Sequence, residues 1–411
     1  MVVQHNLQAM NANRMLNITT GSQSKSAEKL SSGYRINRAA DDAAGLSISE
    51  KMRKQIRGLD QASTNAEDGV SAVQTAEGAL TEVHSMLQRM NELAVQASNG
   101  TNSKTDRDAI QSEIDQLTTE IDRVAETTKF NETYLLKGDA DGATKDVYMN
   151  GHDAGLKGTL TDGATTATFK VAAGALDDGK KVTIGGKEYT IGSKDTAVQD
   201  LIKAPADATK NKVTIDGVGY EIDKDSKIYK AGTTTPLTKK DLGGTAGDAA
   251  GLADLKALVK AGAKVSIDGK DYTIMKDDNT DNVDDADSSV ITATKAVELM
   301  TAELKTANNI GATKTAATIT AGTYASDTGI EFTINKGTAE VAEKLNFNLH
   351  VGSDADMTNK INVNIETMNS SYLGIKGLNV SDDTGVSATY AVDAIADALQ
   401  KVSDQRSSLG A

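Results

Sequence analysis

The chain has 411 residues, no Cys, no Trp, two Pro and a formal net charge of −14. The lack of Cys excludes disulfides, thiol nucleophiles and cysteine-ligated zinc. The acidic balance argues against partners such as nucleic acid or an anionic membrane, because both require a basic protein surface.

The first 20 residues do not form a secretory signal, because they lack a basic region, a continuous apolar core and a small-residue cleavage site. A weakly polar start of this kind is typical of a segment that stays disordered alone and folds against a partner. Nowhere does the chain approach the roughly 20 consecutive apolar residues of a membrane span.

The strongest periodic signal runs from residue 52 to residue 94, where apolar residues recur at alternating steps of four and three. This spacing predicts a long helix with a coiled-coil-like seam. Ser47 and Glu50 fit a capping box at its start, and Asn99-Gly100 is a plausible end. The predicted seam residues are Met52, Ile56, Leu59, Val70, Val73, Leu80 and Leu87.

A second helix follows with the same spacing, and a short loop makes the two helices an antiparallel pair. Its seam residues are Ile110, Ile114, Leu117 and Ile121. A third helical pattern occupies the C-terminus from Val392 to Leu409 and stops at Ala411 in the middle of its register.

The middle of the chain contains an internal repeat, with 23 of the 36 glycines falling between residues 141 and 340. The three copies are KVTIGGKEYTI at 181–191, KVTIDGVGYEI at 212–222 and KVSIDGKDYTI at 264–274. Each predicts two short strands around a Gly-Gly or Asp-Gly type I′ turn. The repeated Tyr189, Tyr220 and Tyr272 are expected to be core anchors on one strand face. Two further alternating strands, at 346–351 and 360–366, predict a hairpin beside the helices.

No constellation in the sequence predicts chemistry. The four histidines lie far apart and no HExxH motif is present, so we predict no catalytic residues, no metal, no cofactor and no enzyme activity. The acidic run from Asp277 to Asp287 departs from a calcium loop at its sixth and twelfth positions. A solvated loop is the favoured interpretation there, with a weak cation site as the alternative.

The outer parts of the chain closely resemble bacterial flagellin. The motifs are long: AEKLSSGYRINRAADDAAGLSISEKMR at 27–53, LQRMNELAVQASNGT at 87–101, IQSEIDQLTTEIDRVAETTKFN at 110–131 and ALQKVSDQRSSLGA at 398–411. The resemblance covers roughly residues 1–140 and 341–411. It implies a C-terminally truncated flagellin, because flagellins continue for about another helix and a half beyond the motif that ends here.

The resemblance and the residue patterns together imply an α+β fold. Residues 1–42 would be an N-terminal core-helix segment that is disordered in the monomer. Residues 43–140 and 341–411 would form a tube domain, a long antiparallel coiled-coil bundle with a β-hairpin and an incomplete last helix. Residues 141–340 would form an inserted, β-rich α+β outer domain of one or two lobes, built on the repeated hairpins.

The resemblance also implies a function and partners. The chain would be a structural subunit that polymerises with other flagellin subunits into the flagellar filament for motility. It would be secreted to the extracellular flagellum through the flagellar export apparatus with a chaperone, without a cleavable signal peptide.

The family is further recognised by host Toll-like receptor 5, a function in innate immunity. The matching receptor-contact positions here are Gln88, Arg89, Leu93, Gln96 and Glu113. Arg89 and Leu93 lie four residues apart and so share a helix face. The alternative function is an assembly-incompetent soluble chain that acts mainly as a ligand of this receptor.

Overall fold

The computed structural model describes residues 7–139, 142–207, 209–245, 247–276 and 281–410. Eight α-helices lie within these ranges: α1 Leu7–Ser32, α2 Ala43–Ser98, α3 Lys104–Thr127, α4 Asp195–Leu201, α5 Leu252–Lys256, α6 Ala293–Asn308, α7 Ser370–Leu373 and α8 Val386–Gly410. Short 3₁₀ turns occupy Lys239–Leu242 and Met357–Asn359.

The described strands belong to small, separate sheets. In chain order they are β1 Lys129–Phe130, β2 Thr133–Tyr134, β3 Thr144–Tyr148, β4 Thr159–Asp162, β5 Thr166–Val171, β6 Lys181–Ile184, β7 Lys187–Gly192, β8 Asn211–Ile215, β9 Val218–Ile222, β10 Ile228–Lys230, β11 Lys264–Ile267, β12 Lys270–Thr273, β13 Val290–Thr292, β14 Thr318–Ala321, β15 Ile330–Asn335, β16 Thr338–Ala342, β17 Leu345–His350 and β18 Lys360–Ile365.

The chain divides into two compact units. The first contains the residues up to Gln74 together with Asn346–Asn364, and the second contains Thr75–Leu345 and Ile365–Ala411. The predicted domain boundaries after residues 42, 140 and 340 stay predictions.

In the first unit, the β17–β18 hairpin packs on a strip of small residues along α2. A Cβ built on Gly58 would lie 3.0 Å from Ser353 Cα, and one on Gly69 would lie 2.1 Å from Leu349 Cδ1. Between these glycines Asn65 donates a hydrogen bond from its side chain to the His350 carbonyl at 2.9 Å. The hairpin therefore approaches α2 closely because the helix has almost no side-chain bulk there.

In the second unit, α2, α3 and α8 form an antiparallel helical arrangement. Arg89 on α2 pairs with Glu113 on α3 at 2.9 Å, which places the two helices in opposite directions around their short loop. Near its C-terminus α8 places Arg406 3.8 Å from Glu77 on α2, whereas the residues preceding α8 contact the α2–α3 junction. These contacts confirm the antiparallel pair predicted for α2 and α3 and the predicted C-terminal helix.

The three repeats form the predicted hairpins, β6–β7, β8–β9 and β11–β12. Both turn residues have positive φ in each copy, with values of 54° and 72° for Gly185-Gly186 and 48° and 82° for Asp216-Gly217. Consecutive positive φ angles define the type I′ turn that the sequence predicts. The repeated tyrosines are half-buried beside the two cores of this region.

Two separate hydrophobic cores support the middle of the chain. One joins the β4–β5–β15–β14 sheet to α6 and centres on Phe169 and Phe332. The other lies under the five-stranded sheet β10–β9–β8–β11–β12 and includes α4 and α5. The chain enters and leaves the second core at one point, where Ser193 N–H donates to Thr273 O at 2.9 Å and Met275 N–H donates to Ser193 O at 3.0 Å.

The architecture confirms the predicted α+β class, with long helices and a β-rich region of repeated hairpins. The predicted capping box at Ser47 and Glu50 is wrong. The helix α2 begins at Ala43, and Asp42 caps it by accepting the Gly45 N–H at 2.8 Å. Asp42 is as good an N-cap residue as Ser, so the earlier start leaves Ser47 inside the helix.

Candidate assembly and recognition surfaces

The predicted helical seam has a buried part in the second unit. Leu80 and Leu87 on α2 and Ile114 and Ile121 on α3 are fully buried, and Ile110 is 7% exposed. Leu117 is half-buried. The heptad spacing in this stretch therefore supplies the core between the helices of this chain.

The N-terminal part of the same seam is open. Met52, Ile56, Leu59 and Val70 are between 54 and 58% exposed, and Val73 is half-buried. At 100° per residue these large side chains point roughly 100° away from the strip of small residues that the β17–β18 hairpin covers. The hairpin thus leaves an apolar stripe on α2 uncovered.

The helix α1 is open along its whole length, since none of its 26 residues is buried. Its exposed large apolar side chains include Leu7, Met10, Met15, Leu16, Ile18 and Leu30. Isolated helices owe little stability to their own hydrogen bonds, and most helices in proteins depend on packing of an apolar face. A helix of this kind needs a partner surface to be stable.

The five residues predicted to contact a receptor lie together at the α2–α3 pair, but they differ in accessibility. Gln88, Arg89 and Gln96 are exposed and Glu113 is half-buried. Arg89 donates to Glu113 at 2.9 Å and to Glu92 at 3.2 Å, and both carboxylates raise its pKa. Leu93 is only 2% exposed and belongs to the core beneath this polar surface.

One residue that the sequence patterns missed connects this surface to α8. Arg107 is 2% exposed, and among the described residues its guanidinium donates to four backbone carbonyls. These are Ala97 O at 2.9 Å, Asn99 O at 3.3 Å, Asp382 O at 3.4 Å and Asp383 O at 3.1 Å. It ties the end of α2 to the segment that precedes α8. In the sequence, the one indication of this role is an Arg at a position where the apolar pattern predicts a buried residue.

The predictions of no metal and no cofactor stay predictions. Residues 277–280 of the acidic run lie outside the described residues. Within the described ranges, no cluster of three or more His, Asp or Glu side chains is arranged to hold a metal ion. Among these residues, too, there is no helix with the length and apolar character needed to cross a membrane.

Open apolar helix faces beside a well-packed helical core are typical of a chain that associates with other chains. Residues 3–141 match the bacterial flagellin N-terminal helical region. This match confirms the resemblance to flagellin, and the family is structural and non-enzymatic.

Individual flagellar proteins match the same part of the chain. The flagellin of Clostridium tyrobutyricum is 60% identical over 156 residues, covering 36% of this chain and 41% of that protein. The flagellin of Bacillus subtilis is 57% identical over 140 residues, covering 34% and 46%. The flagellar filament 41 kDa core protein of Borreliella burgdorferi is 43% identical over 182 residues, covering 43% and 54%. The chain thus spans about half the length of the relatives it matches.

Solved structures of flagellar proteins also align with the chain. The FliC of Burkholderia pseudomallei aligns over 83% of this chain and 97% of that one, with 19% identity and a TM-score of 0.30. The flagellar junction protein FlgL of Legionella pneumophila aligns over 88% and 96%, with 14% identity and a TM-score of 0.32.

Proposed function

We propose that this chain is a structural subunit that polymerises into the bacterial flagellar filament for motility. The observation that carries the proposal is the single seam of α2, which is buried from Leu80 onward and exposed at Met52, Ile56, Leu59 and Val70. In the proposed polymer, this exposed part packs against a different surface of the next subunit. A heterologous contact that does not close on itself generates a helical filament.

The free energy gained by burying the exposed α2 side chains is small relative to the cost of association, so we propose that α1 is buried in the polymer as well. Fully burying a Leu, Ile or Met side chain is worth about 1.5–3 kcal/mol, and half-exposed residues have about half of that left to gain. The four exposed α2 residues would then contribute about 3–6 kcal/mol, which is at the lower end of the roughly 4–15 kcal/mol cost of association. The six apolar side chains of α1, which are about two-thirds exposed, add roughly 6–12 kcal/mol and bring the sum into the upper part of that range. We propose that residues 1–42 stay disordered in the monomer and become ordered on assembly, since none of the residues of α1 is buried within the chain.

Pelleting at high protein concentration in a kosmotropic salt tests the proposal, because such salts strengthen apolar burial. The double substitution Ile56→Gln and Leu59→Gln should abolish pelletable polymer, since it removes apolar surface without adding charge. The matched control is Lys51→Gln with Lys54→Gln, two exposed positions on the same helix that lie away from the stripe. Equal polymer from both double variants would contradict the proposal, as would persistent monomer from the unaltered chain.

The finer parts of the proposal rest on the resemblance to flagellin. The chain would be secreted to the extracellular flagellum by the flagellar export apparatus with a chaperone, without a cleavable signal. Its partners would be other flagellin subunits and flagellar junction proteins. Detection of the chain in sheared filaments, with its encoded N-terminus intact by mass spectrometry, tests both localisation and export.

We also propose recognition by Toll-like receptor 5 as a second function. Its support is the polar surface at Arg89, where two carboxylates hold the guanidinium in one position. Preorganised polar groups lose less entropy on binding than mobile ones. Leu93 would act beneath this surface by holding α2 and α3 together, since it is buried.

Binding of the receptor ectodomain to Arg89→Ala tests this second function. The matched control is Arg123→Ala, because Arg123 is also exposed and also pairs with a Glu on its own helix. Exposed ion pairs contribute only about 0–1 kcal/mol to stability, so both variants should fold alike. Equal receptor affinity of the two variants would contradict the role of Arg89. A soluble monomer that binds the receptor but never pellets would favour the alternative, in which the chain acts mainly as a receptor ligand.

A further inference from the structure

The second and third repeats pair with each other by a symmetric arrangement. Their first strands, β8 and β11, run antiparallel with Thr214 opposite Ser266. On either side, Val213 is opposite Ile267 and Ile215 is opposite Val265. Each Val-x-Ile segment thus faces the other across a local two-fold axis. Two copies of one sequence element form an isologous contact inside a single chain.

Two aspartates strengthen this internal contact. Asp216, in the turn of one hairpin, accepts the Lys264 N–H at 2.9 Å and donates its own N–H to Lys264 O at 2.8 Å. Asp268, in the turn of the other hairpin, makes the same two contacts with Lys212, each at 2.9 Å. The turn of each repeat therefore holds the start of the other repeat.

The first repeat has the same first strand but no such partner. In its sheet the strand order is β13–β7–β6, so β6 forms one edge among the described residues. Val182 and Ile184 are opposite Tyr189 and Lys187 of β7. In a hairpin with a two-residue turn these are the hydrogen-bonded pairs, so the N–H and C=O of Thr183 face outward. The side chain of Thr183 is exposed as well.

We propose that β6 is an interaction surface for β6 of a second copy of this chain. The two strands would pair antiparallel, with Thr183 opposite its own counterpart and Val182 opposite Ile184 of the partner copy. The internal pairing indicates which strand would pair with the β6 edge. A Lys-Val-Thr/Ser-Ile strand occurs three times in the chain, and two of the three already pair in this register. An exposed edge strand offers unpaired backbone groups to a strand of this kind.

We expect the contact between copies to be weaker than the internal one, because the turn residues of the first repeat differ from those of the other two. The first repeat has Gly185 where the others have Asp216 and Asp268. A Cβ on Gly185 would lie 2.6 Å from Glu303 Oε1, so an Asp there would place two carboxylates together. The pair of copies thus lacks the two carboxylate acceptors, although the Gly185 N–H can still donate. We expect a reversible association that exists at high local concentration.

Single-cysteine crosslinking tests this contact, because the chain has no Cys of its own. In the proposed register, Thr183→Cys places the two Cα atoms about 5.5 Å apart, within the range of a disulfide. The matched control Lys181→Cys lies on the same exposed strand face, but its two Cα atoms would be about 13 Å apart. Under mild oxidation we expect about tenfold more disulfide-linked dimer from Thr183→Cys than from Lys181→Cys, since only the former pair is within bonding range.

A second variant tests the backbone pairing itself. Thr183→Pro removes the outward N–H of the edge strand and leaves the hydrogen-bonded pairs with β7 in place. It should lower the dimer fraction in analytical ultracentrifugation relative to the unaltered chain. Equal crosslinking at both cysteine positions, or an unchanged dimer fraction in Thr183→Pro, would overturn the proposal. All of these chains carry Ile56→Gln and Leu59→Gln, so the result is independent of the filament proposal.

Discussion

Two glycines on α2 provide a sharp test of how the β17–β18 hairpin is held. Replacing Gly78 with Ala adds a methyl group that would meet nothing within 4 Å. Ala is more favourable than Gly in a helix interior by about 0.5–1 kcal/mol. We therefore expect Gly78→Ala to stabilise the protein by that amount.

The same substitution at Gly69 should have the opposite sign. The new methyl carbon would lie 2.1 Å from Leu349 Cδ1, far inside the contact distance of about 3.5–4.0 Å between carbon atoms. Displacing a packed side chain in this way costs about 1–3 kcal/mol, which exceeds the gain in helix propensity. The two variants should therefore differ by about 1–3 kcal/mol in the free energy of unfolding.

Urea denaturation followed by circular dichroism measures this difference, and hydrogen exchange at 345–364 locates it. A double-mutant cycle isolates the cause, because contacting residues are non-additive. When Leu349→Ala removes the obstructing side chain, Gly69→Ala should become as favourable as Gly78→Ala. If Gly69→Ala stabilises the chain that still has Leu349, the close packing of hairpin on helix is refuted.

Three further outcomes are expected. Arg107→Lys should lower the free energy of unfolding by about 2–4 kcal/mol, because an ammonium group cannot reach carbonyls on both sides of the guanidinium; a loss below about 1 kcal/mol in urea denaturation would contradict this. Burial, with Glu366 and Asp404 nearby, raises the pKa of Tyr372 to about 12. The native state thus keeps a proton that the unfolded state loses near pH 10. The free energy of unfolding should therefore fall as pH rises from about 10 to 12. In Tyr372→Phe, the difference in bound protons between the two states should be smaller by about one in this range, so the free energy of unfolding should fall less steeply with pH. Asp216→Ala should weaken amide protection of its sheet more than Asp216→Gly, since φ is 48° there and Gly tolerates it; equal protection would argue against backbone strain.

Periodicity predicted the helices of this chain well because a heptad pattern reports which residues avoid water. It could not distinguish burial inside the chain from burial between chains. Leu87 and Leu59 fit the same pattern, yet one is fully buried and the other is 54% exposed. The distinction depends on what covers each stretch of the helix, and a single sequence contains no information on that.

The hairpins were predictable down to their turn type, since Asp-Gly and Gly-Gly adopt positive φ more readily than other pairs. How the hairpins combine was not predictable. The pairing of β8 with β11 depends on contacts across 48 and 56 residues, at Asp216 and Asp268. The small-residue strip at Gly58 and Gly69 was missed because apolar-pattern counting ignores side-chain size.

The chain enters and leaves the five-stranded lobe at one point, where Ser193 contacts Thr273 and Met275. The lobe is therefore a self-contained insertion. Backbone hydrogen bonds join its two ends directly, and it has a separate hydrophobic core. A loop whose ends already touch can be shortened, lengthened or exchanged with little change in closure entropy, which rises only by about 0.6 kcal/mol for each doubling of length. The residues between Ser193 and Met275 can therefore vary in length and sequence without changing the fold of the rest of the chain.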